Sequence, residues 1–289
     1  MCMLTIRRVT KKYLPLIKSL QTGLLVVTGL AGYMSARCPV HNIPTVLGLS
    51  ASLLLSISGS TVLNMWYDRD IDAIMPRTSK RPLSTGEIEP GKALIIGLVF
   101  SLIGVSWALA LDLLYGIVIF AGLFFDVVVY TIWLKRRTAW SIIWGGIAGG
   151  MPVLAGRLLG LGQIDWVGIA LALGVLFWIP THILTFSIRY HADYQKARVP
   201  TFPSTYSFQT TRLIIAISSI LATLAFGVAG YGVGLTWGFL RLLAVLSAGL
   251  FILAVKSLTS PSERLTFGLF KYASLYMLST MLLMFLTGM

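Results

Sequence analysis

From residue 15 to residue 288 the chain reads as apolar runs of about 20 residues separated by short polar interruptions. At 1.5 Å of rise per residue, about 20 helical residues cross a hydrocarbon core of roughly 30 Å, so each run predicts a transmembrane helix. Nine can be laid along the sequence, at 15–36, 44–66, 91–111, 113–133, 139–161, 166–188, 211–235, 237–256 and 267–288. The third and fourth are separated by little more than Asp112, which predicts a tight helical hairpin if they are two and a total of eight if they are one. No soluble domain interrupts the pattern: the longest connections are about 24 residues after the second run and about 22 after the sixth. The expectation is a single all-α, polytopic membrane domain over residues 1–289.

Basic residues discriminate between the two counts, because cytoplasmic loops carry the excess of Lys and Arg. With nine spans, one side receives Arg7, Arg8, Lys11, Lys12 and Lys18, then Arg69, Arg77, Lys80, Arg81 and Lys92, then Lys135, Arg136 and Arg137, and finally Arg189, Lys196, Arg198, Arg212, Lys256, Arg264 and Lys271. The opposite side keeps Arg37, Arg157 and Arg241. That partition favours nine, with the N-terminus and the two long loops in the cytoplasm. Composition agrees: 56% hydrophobic and 11% charged residues, mean hydropathy +0.84, too little polar surface for a water-soluble globule. The net charge of +13 is explained by one basic membrane face against anionic lipid, so no nucleic-acid partner is expected. Cys2 and Cys38 fall on opposite sides and are not expected to pair. The first apolar run fits a retained helix better than a cleaved signal, and with no Arg- and Ser-rich presequence before it the expected location is a prokaryotic plasma membrane.

Charge is concentrated where hydropathy falls, in "NMWYDRDIDAIMPRTSKRPL", Asn64 to Leu83. Asn64, Asp68 and Asp72 recur every four residues and predict one polar helical stripe about 12 Å long, with Asp70 pointing away and Pro76 ending the helix. Neighbouring carboxylates repel unless a cation neutralises them. An oxygen-only set without His or Cys favours a hard ion such as Mg²⁺, and Arg77, Lys80 and Arg81 beside it suit the phosphate oxygens that would complete its shell. The alternative is a solvated loop in which acids pair with adjacent bases, and spacing alone leaves both open. The second long loop, "YHADYQKARVPT", loosely repeats the order of Tyr, Asp, base, Pro and Thr found in "YDRDIDAIMPRT". This suggests a pseudo-repeat of helices 1–4 with loop 67–90 and helices 5–8 with loop 189–210, each contributing one polar loop to a shared cavity. Asp193 is then either the counterpart of the first stripe or a local partner of Arg189. The cluster Lys135, Arg136 and Arg137 ends the fourth span. Asp126, inside that span, needs a cavity or a partner, and His182, just after Pro180, suits packing or a polar contact with a bound macrocycle.

At these residues the sequence resembles the UbiA-type intramembrane prenyltransferase superfamily, whose first signature is N-x-x-x-D-x-x-x-D and whose fold is a bundle of nine transmembrane helices around a central cavity. Within it the resemblance is to the branch that farnesylates protoheme. It is carried by "DRDIDAIMPRTSKRPLSTGEI", "YTIWLKRRT", "GGIAGGMPVLAG" and "WIPTHILTFSIRYHADYQKARVPTFP". Thr181 stands where a Pro is often found, and Asp193 lacks the partner carboxylate common in the wider superfamily.

The resemblance implies transfer of a farnesyl group from farnesyl diphosphate, or a longer prenyl diphosphate, to the 2-vinyl group of protoheme IX, with water captured to give heme O. It implies Mg²⁺ held by Asn64, Asp68, Asp72 and Asp193, with Asp68, Asp72 and Asp193 catalytic. Arg77, Arg81 and Lys135 would hold the diphosphate, and His182 and Tyr194 would lie on the heme side. It leaves open a partnership with a heme A synthase or terminal oxidase. Other expectations stand beside it: prenyl transfer to a quinone precursor or a lipid glycerol, a cation-coupled transporter using Asp68, Asp72 and Asp126, and a non-catalytic heme-binding membrane protein.

Overall fold

A computed structural model describes residues 13–37 and 42–287. Cys2, Cys38, Arg7, Arg8, Lys11 and Lys12 lie outside the described residues. Among the described residues every regular element is helical. A 3₁₀ turn, Leu14–Ile17, leads through the left-handed Lys18 (φ 42°) into α1, Ser19–Ser35. Then follow α2 (Ile43–Tyr67), the short α3 (Arg69–Ile74), α4 (Pro90–Leu111), α5 (Leu113–Leu123), which runs on as a π-helix (Phe124–Leu134), α6 (Ser141–Leu161) and α7 (Trp166–Arg189). The second long loop folds into α8 (His191–Lys196) and α9 (Phe202–Thr205), and α10 (Phe208–Val233), α11 (Trp237–Thr259) and α12 (Glu263–Thr287) complete the chain.

Local chemistry sets these boundaries. Pro44 and Pro90 sit in the first turns of α2 and α4, where a missing N–H costs nothing. Met75, held extended (ψ 123°) before Pro76, stops α3. Asp112 alone separates α4 from α5, and its carboxylate accepts the Tyr115 N–H (2.8 Å) as an N-cap, so the predicted hairpin turns on one residue. Gly162 (φ 73°) and Gly234 (φ 76°) close α6 and α10 in the left-handed region.

Eight of the helices, counting α5 with its π extension, are 21–26 residues long and apolar enough to cross a membrane. The ninth predicted span is α1, whose 17 residues reach spanning length together with the turn before it. The chain is a multi-pass membrane protein. Large apolar side chains such as Ile95, Leu102, Leu224 and Val245 point outward, as lipid contact requires. Helices α1, α2, α5, α6, α7 and α12 surround a central chamber, with α4 packed outside α2 and α10 outside α7. At the α1–α6 crossing, backbone meets backbone: a Cβ on Gly156 would collide with the Gly29 carbonyl, and one on Gly32 with that of Val153. Thr181 ties α7 to α10, its hydroxyl 2.9 Å from that of Ser219.

The two ends of the bundle differ. Arg37 donates to the Gly234 carbonyl (2.5 Å) at one end, where Arg157 also donates to Ser35 and, bidentately, to Asp165 (2.8 and 2.7 Å). Burial opposes the Asp165 charge, but the Arg157 guanidinium and the Gly168 N–H hold its pKa below the ordinary carboxylate value. The other end gathers both long loops.

Candidate active site

The polar stripe of α2 continues into α3. Asp68 leaves helical geometry (φ −87°, ψ 3°), yet its N–H donates to Asn64 O (3.0 Å) and the Asp72 N–H donates to Asp68 O (2.8 Å). The four-residue spacing therefore survives the junction, and Asp68 and Asp72 are both buried, at 1% and 3% exposure. Facing this stripe is the π-helix, where Thr131 Oγ1 donates to Asp126 O (2.7 Å) and the Lys135 N–H to Tyr130 O (2.8 Å), both five residues back. At about 4.4 residues per turn, Asp126, Thr131 and Lys135 fall on one face, which α-helical geometry would not allow. Three rungs join the elements: Ser60 donates to Asp126 Oδ2, Asn64 Nδ2 donates to Thr131 Oγ1 (2.8 Å), and Lys135 Nζ donates to Asp68 Oδ2.

Bases enclose the mouth of the ladder. Arg81 Nη1 pairs with Asp72 Oδ2 (2.5 Å), and Lys18 Nζ donates to Asn64 Oδ1 (3.3 Å). Burial works against the Lys135 charge, but Tyr130 and Asp68 beside it raise its pKa above the ordinary lysine value. Asp70 faces away and holds Arg136 through two bonds (2.6 and 2.7 Å), which set its own pKa low.

The second loop meets the first directly. Ile71 and Met75 of the first pack with Ala197 and Val199 of the second, and Tyr194 lies against this cluster. The Arg77 guanidinium reaches across to the rings of Phe186 (4.8 Å) and Tyr190 (5.6 Å). Arg189 lies over Phe267 (4.0 Å), and Asp193, half-buried on α8, forms no ion pair among the described residues. So Arg81 and Lys135 sit on the carboxylates, while Arg77 and Asp193 stand on the adjoining rim.

Behind the mouth the chamber holds about 670 Å³. Its wall is mostly Leu, Ile, Val, Met and Gly, with Ser56, Ser60, Thr61, Asp126 and Tyr130 on one side and Trp178, His182, Phe270 and Ser274 on another. The His182 ring is stacked between Trp178 (4.8 Å) and Phe270 (4.5 Å), with its Nδ1 3.3 Å from Ser274 Oγ. Tyr194 is not among the residues lining the chamber, so His182 and Tyr194, expected on one side, occupy different parts of the site.

The donor set fits a hard divalent cation. Asp68 Oδ1 is buried without a hydrogen-bond partner, with Arg136 Nη2 3.9 Å away, and Asn64 and Asp72 can add further oxygen ligands. No three His, Cys, Asp or Glu side chains among the described residues gather closely enough to hold a metal by themselves. Such a sparse set is compatible with a cation like Mg²⁺, which commonly takes one or two carboxylates and completes its shell with phosphate oxygens and water. Sequence reasoning passed over Lys18, Ser60, Thr131 and the aromatic partners of His182. Ser60 was recoverable as one more step of the four-residue stripe; Thr131 was not, since its alignment depends on the π geometry.

A membrane bundle with a carboxylate-and-base mouth on an apolar chamber is built to take an anionic head with a greasy tail, which defines an intramembrane enzyme acting on such a substrate. The chain belongs to the UbiA prenyltransferase family, which it matches over residues 25–279. It is 39% identical over 267 residues to the protoheme IX farnesyltransferase of Archaeoglobus fulgidus, covering 92% of this chain and 93% of that one. Against the enzyme of the same name from Ruegeria pomeroyi it is 39% identical over 229 residues, 77% and 70% of the two chains. Its fold is shared with a digeranylgeranylglyceryl phosphate synthase (TM-score 0.81, 18% identity, 96% and 98% coverage). It is shared too with a UbiA homolog from Archaeoglobus fulgidus bound to GPP and Mg²⁺ (TM-score 0.69, 16% identity, 94% and 99% coverage).

Proposed function

We propose that this protein transfers a farnesyl group from farnesyl diphosphate to the 2-vinyl group of protoheme IX, giving heme O. The observation that carries this is the ladder ending in Asp68 and Asp72 at the mouth of a chamber whose opposite wall presents His182, in a chain 39% identical to a protoheme IX farnesyltransferase. Asp68, Asp72 and Asn64, with Asp193 on the facing loop, would hold Mg²⁺, which when bound neutralises the diphosphate and stabilises the charge that develops as it leaves. Arg81 and Lys135 exchange their carboxylate partners for phosphate oxygens, and Arg77 closes over the same head from the rim. The apolar wall then encloses the allylic cation and keeps bulk water from quenching it. Heme stands against the Trp178, His182 and Phe270 side, with Tyr194 nearer the diphosphate.

The packing of Ile71 and Met75 on Ala197 and Val199 supports a pseudo-repeat in which loops 67–90 and 189–210 each supply one wall of the mouth. We place the base-rich end in the cytoplasm and the protein in the plasma membrane, with heme O passing to a heme A synthase or terminal oxidase. The test is mass spectrometry of heme after the purified protein meets heme, Mg²⁺ and a mixture of prenyl diphosphates. Prenylated, hydroxylated heme with a preference for the farnesyl donor is expected. Prenylation of a phenolic or glycerol acceptor in place of heme refutes the acceptor assignment.

A further inference from the structure

Prenyl transfer to a vinyl group leaves a second cation, on the vinyl carbon next to the porphyrin, and a water molecule must reach that carbon and lose a proton. We propose that Asp126 is the base that takes this proton, an assignment that rests on the function proposed above. Asp126 is a carboxylate on the chamber wall that no step at the diphosphate uses. It stands two rungs inside the Asp68–Lys135 pair, level with Ser60, and eight residues of α2 at 1.5 Å each put it about 12 Å deeper than Asp68. A diphosphate held at the mouth therefore delivers its reactive carbon between the two acids, with Asp126 on the inner side.

One oxygen of Asp126 accepts from Ser60, and no protein donor reaches the other among the described residues. No Lys, Arg or His lies within ion-pair distance of it among the described residues, so its second oxygen is open to whatever the chamber holds. Ser56, Ser60 and Thr61 line the same part of the wall. With the Asp126 carboxylate, Ser60 gives an entering water the two polar partners that an enclosed water needs.

The step balances. The C1–oxygen bond breaks, its electrons leaving with diphosphate, and the terminal vinyl carbon then gives its π pair to C1 of the allylic cation. The inner vinyl carbon, now cationic, forms a bond to the water oxygen, and one proton of that water passes to the Asp126 carboxylate. General-base assistance of this kind is worth about 10²–10⁴ in rate. Without it the cation is discharged by loss of a carbon-bound proton, leaving a diene.

The experiment is product analysis of Asp126→Asn with heme, Mg²⁺ and farnesyl diphosphate, following diphosphate release and heme mass together. Expected is continued diphosphate release, with the ratio of hydroxylated to dehydrated prenyl-heme falling by at least about 100-fold, and partial recovery in Asp126→Glu. A wild-type product ratio in Asp126→Asn overturns the assignment. So does loss of diphosphate release and hydroxylation in equal measure, which is the signature of a broken ladder. If Asp126→Asn does not fold, Asp126→Glu alone decides: its displaced carboxylate must lower the product ratio without lowering diphosphate release, and an unchanged ratio overturns the proposal. Failure of the wild type to prenylate heme refutes the underlying function instead, so the two failures are distinct.

Discussion

Replacing Asp68 by Asn separates the chemistry of the site from its stability. The carboxylate is 1% exposed and receives the Lys135 ammonium on one oxygen while the other has no hydrogen-bond partner. Asn has nearly the same shape and keeps one oxygen to accept from Lys135, so what is lost is the opposing charge while the bond itself remains. A hydrogen bond from an ammonium keeps about 1.5–3 kcal/mol of interaction, so the variant should lose less than a truncation that removes the partner altogether. Truncation to Ala, which strands a buried ammonium, should cost about 3–5 kcal/mol. Against a typical stability of about 5–15 kcal/mol, Asp68→Asn stays folded. Its turnover should nonetheless fall by about 10³ or more, because charge stabilisation of a leaving group in a water-poor site is worth at least that much. The assay pairs thermal unfolding in detergent with quantification of prenylated heme. Turnover within tenfold of wild type in a properly folded Asp68→Asn protein refutes the role assigned to the carboxylate.

Other outcomes follow from the same structure. Asp70→Asn, which touches only the exposed Arg136 pair, should change stability by less than about 1 kcal/mol and leave product formation intact, as checked by the same two assays. Gly156→Ala should lower the unfolding temperature, with overpacking of about 1–3 kcal/mol, because its Cβ meets the Gly29 backbone rather than a side chain that can turn aside. The Asp165–Arg157 pair should make stability depend on pH in acid. The folded-state pKa of Asp165 lies below its unfolded value of about 3.9, so the stabilisation is full above that pH and is lost as pH falls through the folded pKa. Unfolding temperatures between about pH 5 and pH 2 should show this loss, and Asp165→Asn should flatten it.

Hydropathy located the long helices, because lipid leaves the chain no other way to satisfy its backbone over about 20 apolar residues, and the sorting of basic residues was needed to favour nine over eight. The stripe of Asn64, Asp68 and Asp72 was equally legible, since a four-residue period is a property of the helix that carries it. The short helices α8 and α9 were read as loop: Tyr194 of α8 and the residues just after it pack on Ile71 and Met75, and Phe202 of α9 is buried against Trp140, contacts with distant parts of the chain that no local pattern announces. Pairing at the mouth was hidden for a similar reason. Sequence put Arg81 and Lys135 near a phosphate, whereas a buried carboxylate takes the nearest base, and Asp72 and Asp68 take these two. Trp178 stands four residues before His182 on one helix, yet neither that stacking nor Phe270, which arrives from the last helix, was read from the sequence.

The π-helix makes residue count itself a functional quantity. Nine residues separate Asp126 from Lys135, and only a wide coil brings both to the same meridian. Deleting one residue on the outward side, at Val128 for instance, would leave the span as greasy and almost as long. It would also swing every later side chain by about a quarter-turn, carrying the ammonium off Asp68 while Asp126 kept its place. A deletion that a surface loop would absorb unnoticed should here disconnect the entrance of the enzyme from its interior.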